Sequence, residues 1–218
     1  MSEEDQSHTL EFLKGAKAPK GMQTFWFLRH GDTEKHLKDG TLTTEGEKLI
    51  ASVKHWYTQG GGNNNTLSAL GRMQARGIAP LLLTQDITNI RCSPLGRAVE
   101  TATLARLDTP NYIPMQYDDN LKECDYGKWE KDYAPLSVFV GKDPDTQDSA
   151  EFSHNIMIAL EACRQPGQLL VAHANVLRTI TGALGIKLPR SSCAHTQLLR
   201  FDPVSEDEWI LTNLSATH

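Results

Sequence analysis

A chain of 218 residues with 39% hydrophobic and 22% charged side chains is long enough for one domain with a substantial core and short for two. Its formal net charge of −5, with no block of Lys and Arg, argues against nucleic acid or an anionic membrane as main partner, because either relies on a basic face that neutralises phosphates. Cys92, Cys124, Cys163 and Cys193 form no CxxC pair and have no His-rich tract beside them, so neither a disulfide framework nor a zinc site is expected.

Residues 1–21 read as a flexible leader punctuated by Gly15, Pro19 and Gly21, with Leu10, Phe12 and Leu13 its one apolar cluster. The leader has no apolar run of the signal-peptide kind, and nothing later approaches the ~20 apolar residues of a membrane span. The expectation is a cytoplasmic protein with a single domain over residues 22–218, its oligomeric state left open.

TFWFLRHGDT (24–33) is the organising stretch. Phe25 to Leu28 read as a strand buried on both faces, which sets His30 just past its carboxyl end, where open α/β sheets bind ligands. Thr44 and Glu47 have capping-box spacing, and Leu49, Ile50, Val53 and Trp56 recur at helical intervals, so a helix is expected over 44–57. QGGGNNN (59–65) reads as a mobile surface loop. A second helix is expected over 68–82, with Ser68 as N-cap and Leu70, Met73, Ile78, Leu81 and Leu82 as its apolar stripe.

ITNIRCS is a short strand, and SPLGRAVETATLARL starts a helix with Ser93 as N-cap, Pro94 at the first helical position and Arg97 in the opening turn. NYIPMQYDDNL supplies a third strand and delivers LKECDYGKWE to the same rim. Residues 131–149 lose all period, and their place after an acidic motif suggests a lid. A helix with Phe152, Ile156 and Leu160 on one face follows, capped by Ser149 or Asp148. QLLVAHA is a fourth parallel strand ending on His173, ANVLRTITGALGI the helix behind it, and TQLLRFDP with EWILTNL a closing hairpin. The alternation gives a three-layer α/β/α sandwich, its central sheet mainly parallel with an antiparallel edge strand.

Arg29 with His30, Arg97, Glu123 and His173 converge at one rim. Each has a plain alternative: His173 as a core histidine, Arg97 in a surface ion pair, Glu123 as a solvated carboxylate. Together they are harder to explain as packing, since burying two guanidiniums and two imidazoles is costly unless an anion joins them.

The motifs FLRHGDT (27–33), LSALGRMQA (67–75), CSPLGRAVETA (92–102), LKECDYGKWE (121–130) and LVAHANVLR (170–178) resemble, in order, those of the histidine phosphatase superfamily, which holds phosphoglycerate mutases and phosphatases. The resemblance implies a phosphoglycerate mutase-like fold and His30 as the nucleophile taking a phosphoryl group. It further implies Arg29, Arg97 and His173 as holders of the phosphoryl oxygens and Glu123 as general acid, with Asp125 or Glu130 next in line for that role. Gly31, Thr33 and Ala174 would complete the binding of a small phosphorylated substrate, with no metal or other cofactor. Three positions depart from the family's habit: Asp32 stands where Glu is frequent, His36 where many members place a phosphate-touching Asn, and Ala174 where Gly is usual. TLTTEG (41–46) and TLSALG (66–71) both fit the family's element after the RHG turn. Within this chemistry hydrolase is preferred to mutase, because 131–149 does not look like the mutases' extended substrate-binding insert; a non-catalytic phosphate receptor is the alternative from another class.

Overall fold

A computed structural model describes residues 17–34, 55–57, 59–62, 65–107, 109–110, 112–135, 144–188 and 193–215. Its strands are β1 (Phe25–Arg29), β2 (His55–Tyr57), β3 (Asn89–Cys92), β4 (Met115–Tyr117), β5 (Tyr133–Pro135), β6 (Gln168–Ala172), β7 (Leu198–Pro203) and β8 (Trp209–Asn213). Its helices are α1 (Ala69–Arg76), α2 (Ala79–Leu82), α3 (Gly96–Leu107), α4 (Ser149–Leu160) and α5 (Ala174–Ala183). Six strands form the central sheet in the order β4-β3-β6-β1-β7-β8. The first four run parallel, β7 is antiparallel to β1, and β8 is antiparallel to β7 at the edge.

Both faces of β1 are buried, as its unbroken apolar run requires. Phe25 and Phe27 enter a core with Phe152, Ile156, Val176 and Ile180, and so lie under α4 and α5. Trp26 and Leu28 enter a second core with Ile78, Leu82, Ala98 and Ala102, under α2 and α3. Period-two alternation in one strand thus builds the three layers. Asp148 caps α4, its carboxylate accepting from the Ala150 and Glu151 amides.

Several expected elements differ. The expected helix over 44–57 ends otherwise, because His55–Tyr57 is a strand antiparallel to Tyr133–Pro135; residues 44–54 lie outside the described residues. The single helix over 68–82 is two, α1 and α2, with Gly77 between them. Leu70 and Met73, expected in its apolar stripe, are 51% and 66% exposed, and the buried face of α1 is Gly71 and Ala75. Small residues there let the helix come close. The leader's Leu10, Phe12 and Leu13 and the centre of the expected lid, 136–143, also lie outside the described residues.

The parallel strands β1, β3, β4 and β6 end at one rim. Because β7 runs the other way, it begins at that rim, Leu198 lying opposite Leu28. The end of β1 is therefore bracketed by the end of β6 on one side and the lead-in to β7 on the other.

Candidate active site

His30 follows β1 and extends its ladder, its amide donating to the Ala172 carbonyl at 3.0 Å. Nδ1 lies 2.8 Å from the Gly31 carbonyl. A carbonyl only accepts, so Nδ1 carries the proton and Nε2 keeps its lone pair. The ring is buried, and burial together with the charges of Arg97 and Arg29 holds its pKa well below the usual imidazole value. His30 is thus a neutral, oriented imidazole at neutral pH.

The turn after it is fixed by helix α1. Ser68 caps α1, its Oγ accepting from the Gly71 amide and donating to Asp32 Oδ2 at 2.7 Å. The Ser68 amide donates to the Asp32 carbonyl, and Thr33 bridges Leu67. This places LSALG against the RHG turn; residues 41–46, which hold TLTTEG, lie outside the described residues. Gly31 and Gly71 explain the contact. A Cβ on Gly31 would meet the Gly71 carbonyl at 2.7 Å, and one on Gly71 would meet the Asp32 carbonyl at 2.0 Å. The Gly31 amide donates to Thr101 Oγ1, so this glycine also serves helix packing. Thr33 is buried, and its hydroxyl donates to Gln59.

Arg97 is the second residue of α3 and fully buried. Its helix begins at Gly96, two residues later than Ser93 as N-cap and Pro94 as first helical residue indicated. Ser93 Oγ instead lies 2.8 Å from His173 Nε2 and accepts from the Leu95 amide. An Arg97 Nη2 donates to the carbonyls of Gly60 (3.1 Å) and Gln59 (3.4 Å). Burial lowers the guanidinium's pKa to about 10, with Glu123 and Glu130 opposing, so it stays charged at neutral pH.

The stretch 59–62, expected as part of a mobile surface loop, is anchored at the site. Gly60 is buried, and a Cβ on it would meet the Cys124 carbonyl at 2.1 Å. Glu130 accepts from the amides of Gly60 (2.9 Å), Gly62 (3.3 Å) and Tyr126 (3.0 Å). The glycines serve close backbone approach here.

His173 ends β6 with its ring fully buried and 5.1 Å from that of His30, centroid to centroid. Burial and the charges of Arg97, His30 and Arg29 push its pKa well down. Its Nδ1 is buried with no partner among the described residues, as is Arg29 Nε. Arg29 also donates through Nη1 to the Cys193 carbonyl. A buried guanidinium N–H without a partner, beside an imidazole nitrogen without one, suits an anionic ligand.

Glu123 is buried at the same rim. Oε1 accepts from the Cys124 amide at 3.0 Å and Oε2 from the Asn175 amide, in the first turn of α5, at 3.2 Å. Burial raises its pKa, while those two amides and the charges of Arg97 and Arg178 pull the other way. Asp125 is turned to the Gly127 amide and Glu130 to the three amides above. Ala174 opens α5, and His36 lies outside the described residues.

The structure therefore brings together His30, Arg29, Arg97, His173 and Glu123, and adds one residue the sequence reading missed. His195, just before β7, sets its ring tilted at 41° to that of His30, 5.5 Å away between centroids, and faces Asp32 Oδ1 through Nδ1 at 3.7 Å. Its signal was the hairpin: a strand running back along β1 must begin at the rim where the parallel strands end. Chemically, the site pairs an uncharged imidazole with one fully buried and one half-buried guanidinium and a carboxyl group inclined to hold a proton.

Residues 25–205 match the sequence model of the histidine phosphatase superfamily, branch 1. The chain is 35% identical over 193 residues to the agropine synthesis reductase of Rhizobium rhizogenes, a match covering 88% of this chain and 42% of that protein. It thus spans less than half the length of that curated relative. Among solved structures, YhfR of Bacillus stearothermophilus is similar at TM-score 0.67 and 21% identity, over 90% of this chain and 98% of that one. A mycobacterial glucosyl-3-phosphoglycerate phosphatase is similar at TM-score 0.60 and 21% identity, over 89% and 99%. The two solved structures share its fold, and the sequence match extends over most of its length: the chain belongs to the histidine phosphatase superfamily.

Proposed function

We propose that this protein is a metal-independent phosphomonoester hydrolase acting on a small phosphorylated metabolite through a phosphohistidine. The observation that carries this reading is His30, neutral by burial, with Nδ1 committed to the Gly31 carbonyl and Nε2 left as the nucleophile beside the buried Arg97 and half-buried Arg29 guanidiniums. The Nε2 lone pair attacks phosphorus, the bond from phosphorus to the ester oxygen breaks, and Glu123 gives its proton to the departing alkoxide. Arg29, Arg97 and His173 meet the charge on the phosphoryl oxygens with donors already fixed in place. Water then attacks phosphorus, Glu123 takes a proton from it, and the phosphorus–nitrogen bond breaks to release phosphate and neutral His30. The raised pKa of Glu123 fits the first half-reaction, which needs its acid form.

A mutase would share every one of these groups and differ in keeping the phosphoryl group from water. A phosphate receptor would keep the pocket without turnover. The test is p-nitrophenyl phosphate with and without EDTA from mildly acidic to neutral pH. Turnover that survives EDTA and disappears in His30→Ala supports the hydrolase. Turnover of a phosphoglycerate only when bisphosphoglycerate is present would replace it with the mutase. Phosphate binding without turnover of any monoester would leave the receptor.

A further inference from the structure

Resting on the reading of this site as a phosphoryl-transfer centre, we infer that His195 is its third imidazole, a phosphate-binding residue donating to the oxygens of the bound group from the side opposite His173. The placement follows from topology. His30 ends β1, and the two strands beside β1 each bring a histidine to that end: β6 brings His173, at 5.1 Å between ring centroids, and the lead into β7 brings His195, at 5.5 Å. A phosphoryl group on His30 lies between them.

The backbone fixes where His195 sits. Thr196, the next residue, has φ of +52°, a left-handed conformation that a β-branched side chain rarely adopts. It is held there by its amide, which donates to the Arg29 carbonyl at 3.1 Å, and by its hydroxyl, which donates to the His195 carbonyl at 2.8 Å. The strain is thus anchored to the strand that carries the nucleophile.

The ring is oriented too. Ser68 Oγ donates to Asp32 Oδ2, and Asp32 Oδ1 faces His195 Nδ1, so a hydroxyl, a carboxylate and an imidazole run in series toward the site. Asp32 Oδ1 lies on the Nδ1 side, and a charged imidazole carries its second donor at Nε2. Unlike fully buried His173, the His195 side chain is 22% exposed, so water shares the cost of its charge. Among the described residues, the titratable or charged groups facing it include His30 and Asp32 after β1, with Arg29 at the end of β1, and on its own segment Cys193, whose burial-raised thiol is near Arg178, Arg29 and Glu123. Positive charge on His195 in turn opposes protonation of His30, which keeps the nucleophile neutral.

The test is titration with inorganic phosphate at pH 6 and pH 8, comparing wild type with His195→Gln and Asp32→Asn at each pH, together with nitrogen spectra of the wild-type histidines. Losing a charge-assisted donor should weaken binding about 10-fold or more in His195→Gln at pH 6. Asp32→Asn shows part of that loss, as expected of a positioning residue. In wild type, the His195 ring nitrogens shift on saturation, a readout that needs no variant to fold. Phosphate binding unchanged in His195→Gln at both pH values, or His195 nitrogens that do not move, overturns the inference. Phosphate binding that depends on His195 in a protein that hydrolyses no monoester keeps the inference and removes the hydrolase reading; turnover through His30 with binding indifferent to His195 does the reverse.

Discussion

Holding two imidazoles neutral in a buried, cationic site has a consequence for folding stability. His30 and His173 are both buried beside Arg97 and Arg29, with pKa values pushed well below the usual one, whereas in the unfolded chain they protonate near ~6.5. Below that pH the unfolded state binds more protons than the native one. The stability these groups preserve is therefore present above pH ~6.5 and is lost as pH falls. For a group that stays neutral in the native state, the loss between pH 7.5 and 5.0 is about 2 kcal/mol, hence about 4 kcal/mol for the pair. Urea unfolding at the two pH values, in buffers free of phosphate and sulfate, compares wild type with His30→Asn/His173→Asn. The variant should lose less stability on acidification, by about 4 kcal/mol. Glu123, whose raised pKa acts in the opposite direction, is common to both proteins and drops out of the difference. Equal losses in the two proteins would mean that the imidazoles protonate in the folded state, and the neutral-nucleophile argument would fail.

Other outcomes follow from the same geometry. Glu123→Gln should slow alkyl phosphates by about 100-fold or more and p-nitrophenyl phosphate far less, since nitrophenolate barely needs a proton; equal losses on both substrates would take the acid role from Glu123. Gly71→Ala puts a methyl group where the Asp32 carbonyl stands 2.0 Å away, so helix α1 must move off the RHG turn. Unfolding should show a loss of about 1–3 kcal/mol, and wild-type stability would contradict the packing described. Glu130→Gln removes one acceptor from the group that ties the Gly60, Gly62 and Tyr126 amides, loosening the stretch on which Arg97 rests. KM should rise more than kcat falls, and unchanged kinetics would show that this anchor is irrelevant to the site.

Where a signal is local, the sequence carried it. The apolar run of β1 sits between two strands and under helices on both faces, so its reading as a buried strand holds, and with it the rim position of His30. His173 follows from the same logic at β6, and the caps at Ser68 and Asp148 from side chains acting within one turn. What escaped depends on partners far along the chain. Ser93 is a good N-cap residue by type, but His173, 80 residues away, takes its hydroxyl. The glycines at 60–62 looked like flexibility and instead let the backbone approach residues 123–125. Leu70 and Met73 had helical spacing, yet the sheet side of α1 is set by Gly71 and Ala75 packing against the turn after β1. His195 reaches the site only because β7 runs antiparallel, and its ion-pair partner Asp32 lies 163 residues before it.

The account stands on a phosphorus–nitrogen bond forming at His30. Rapid-quench turnover of a labelled phosphate monoester, stopped in base and digested for mass analysis, reads that bond directly. An acid-labile, base-stable phosphoryl group on the peptide containing His30, appearing and decaying within one turnover, is the predicted result. Release of phosphate with no label on the protein at any time, or a label on another residue, would contradict it.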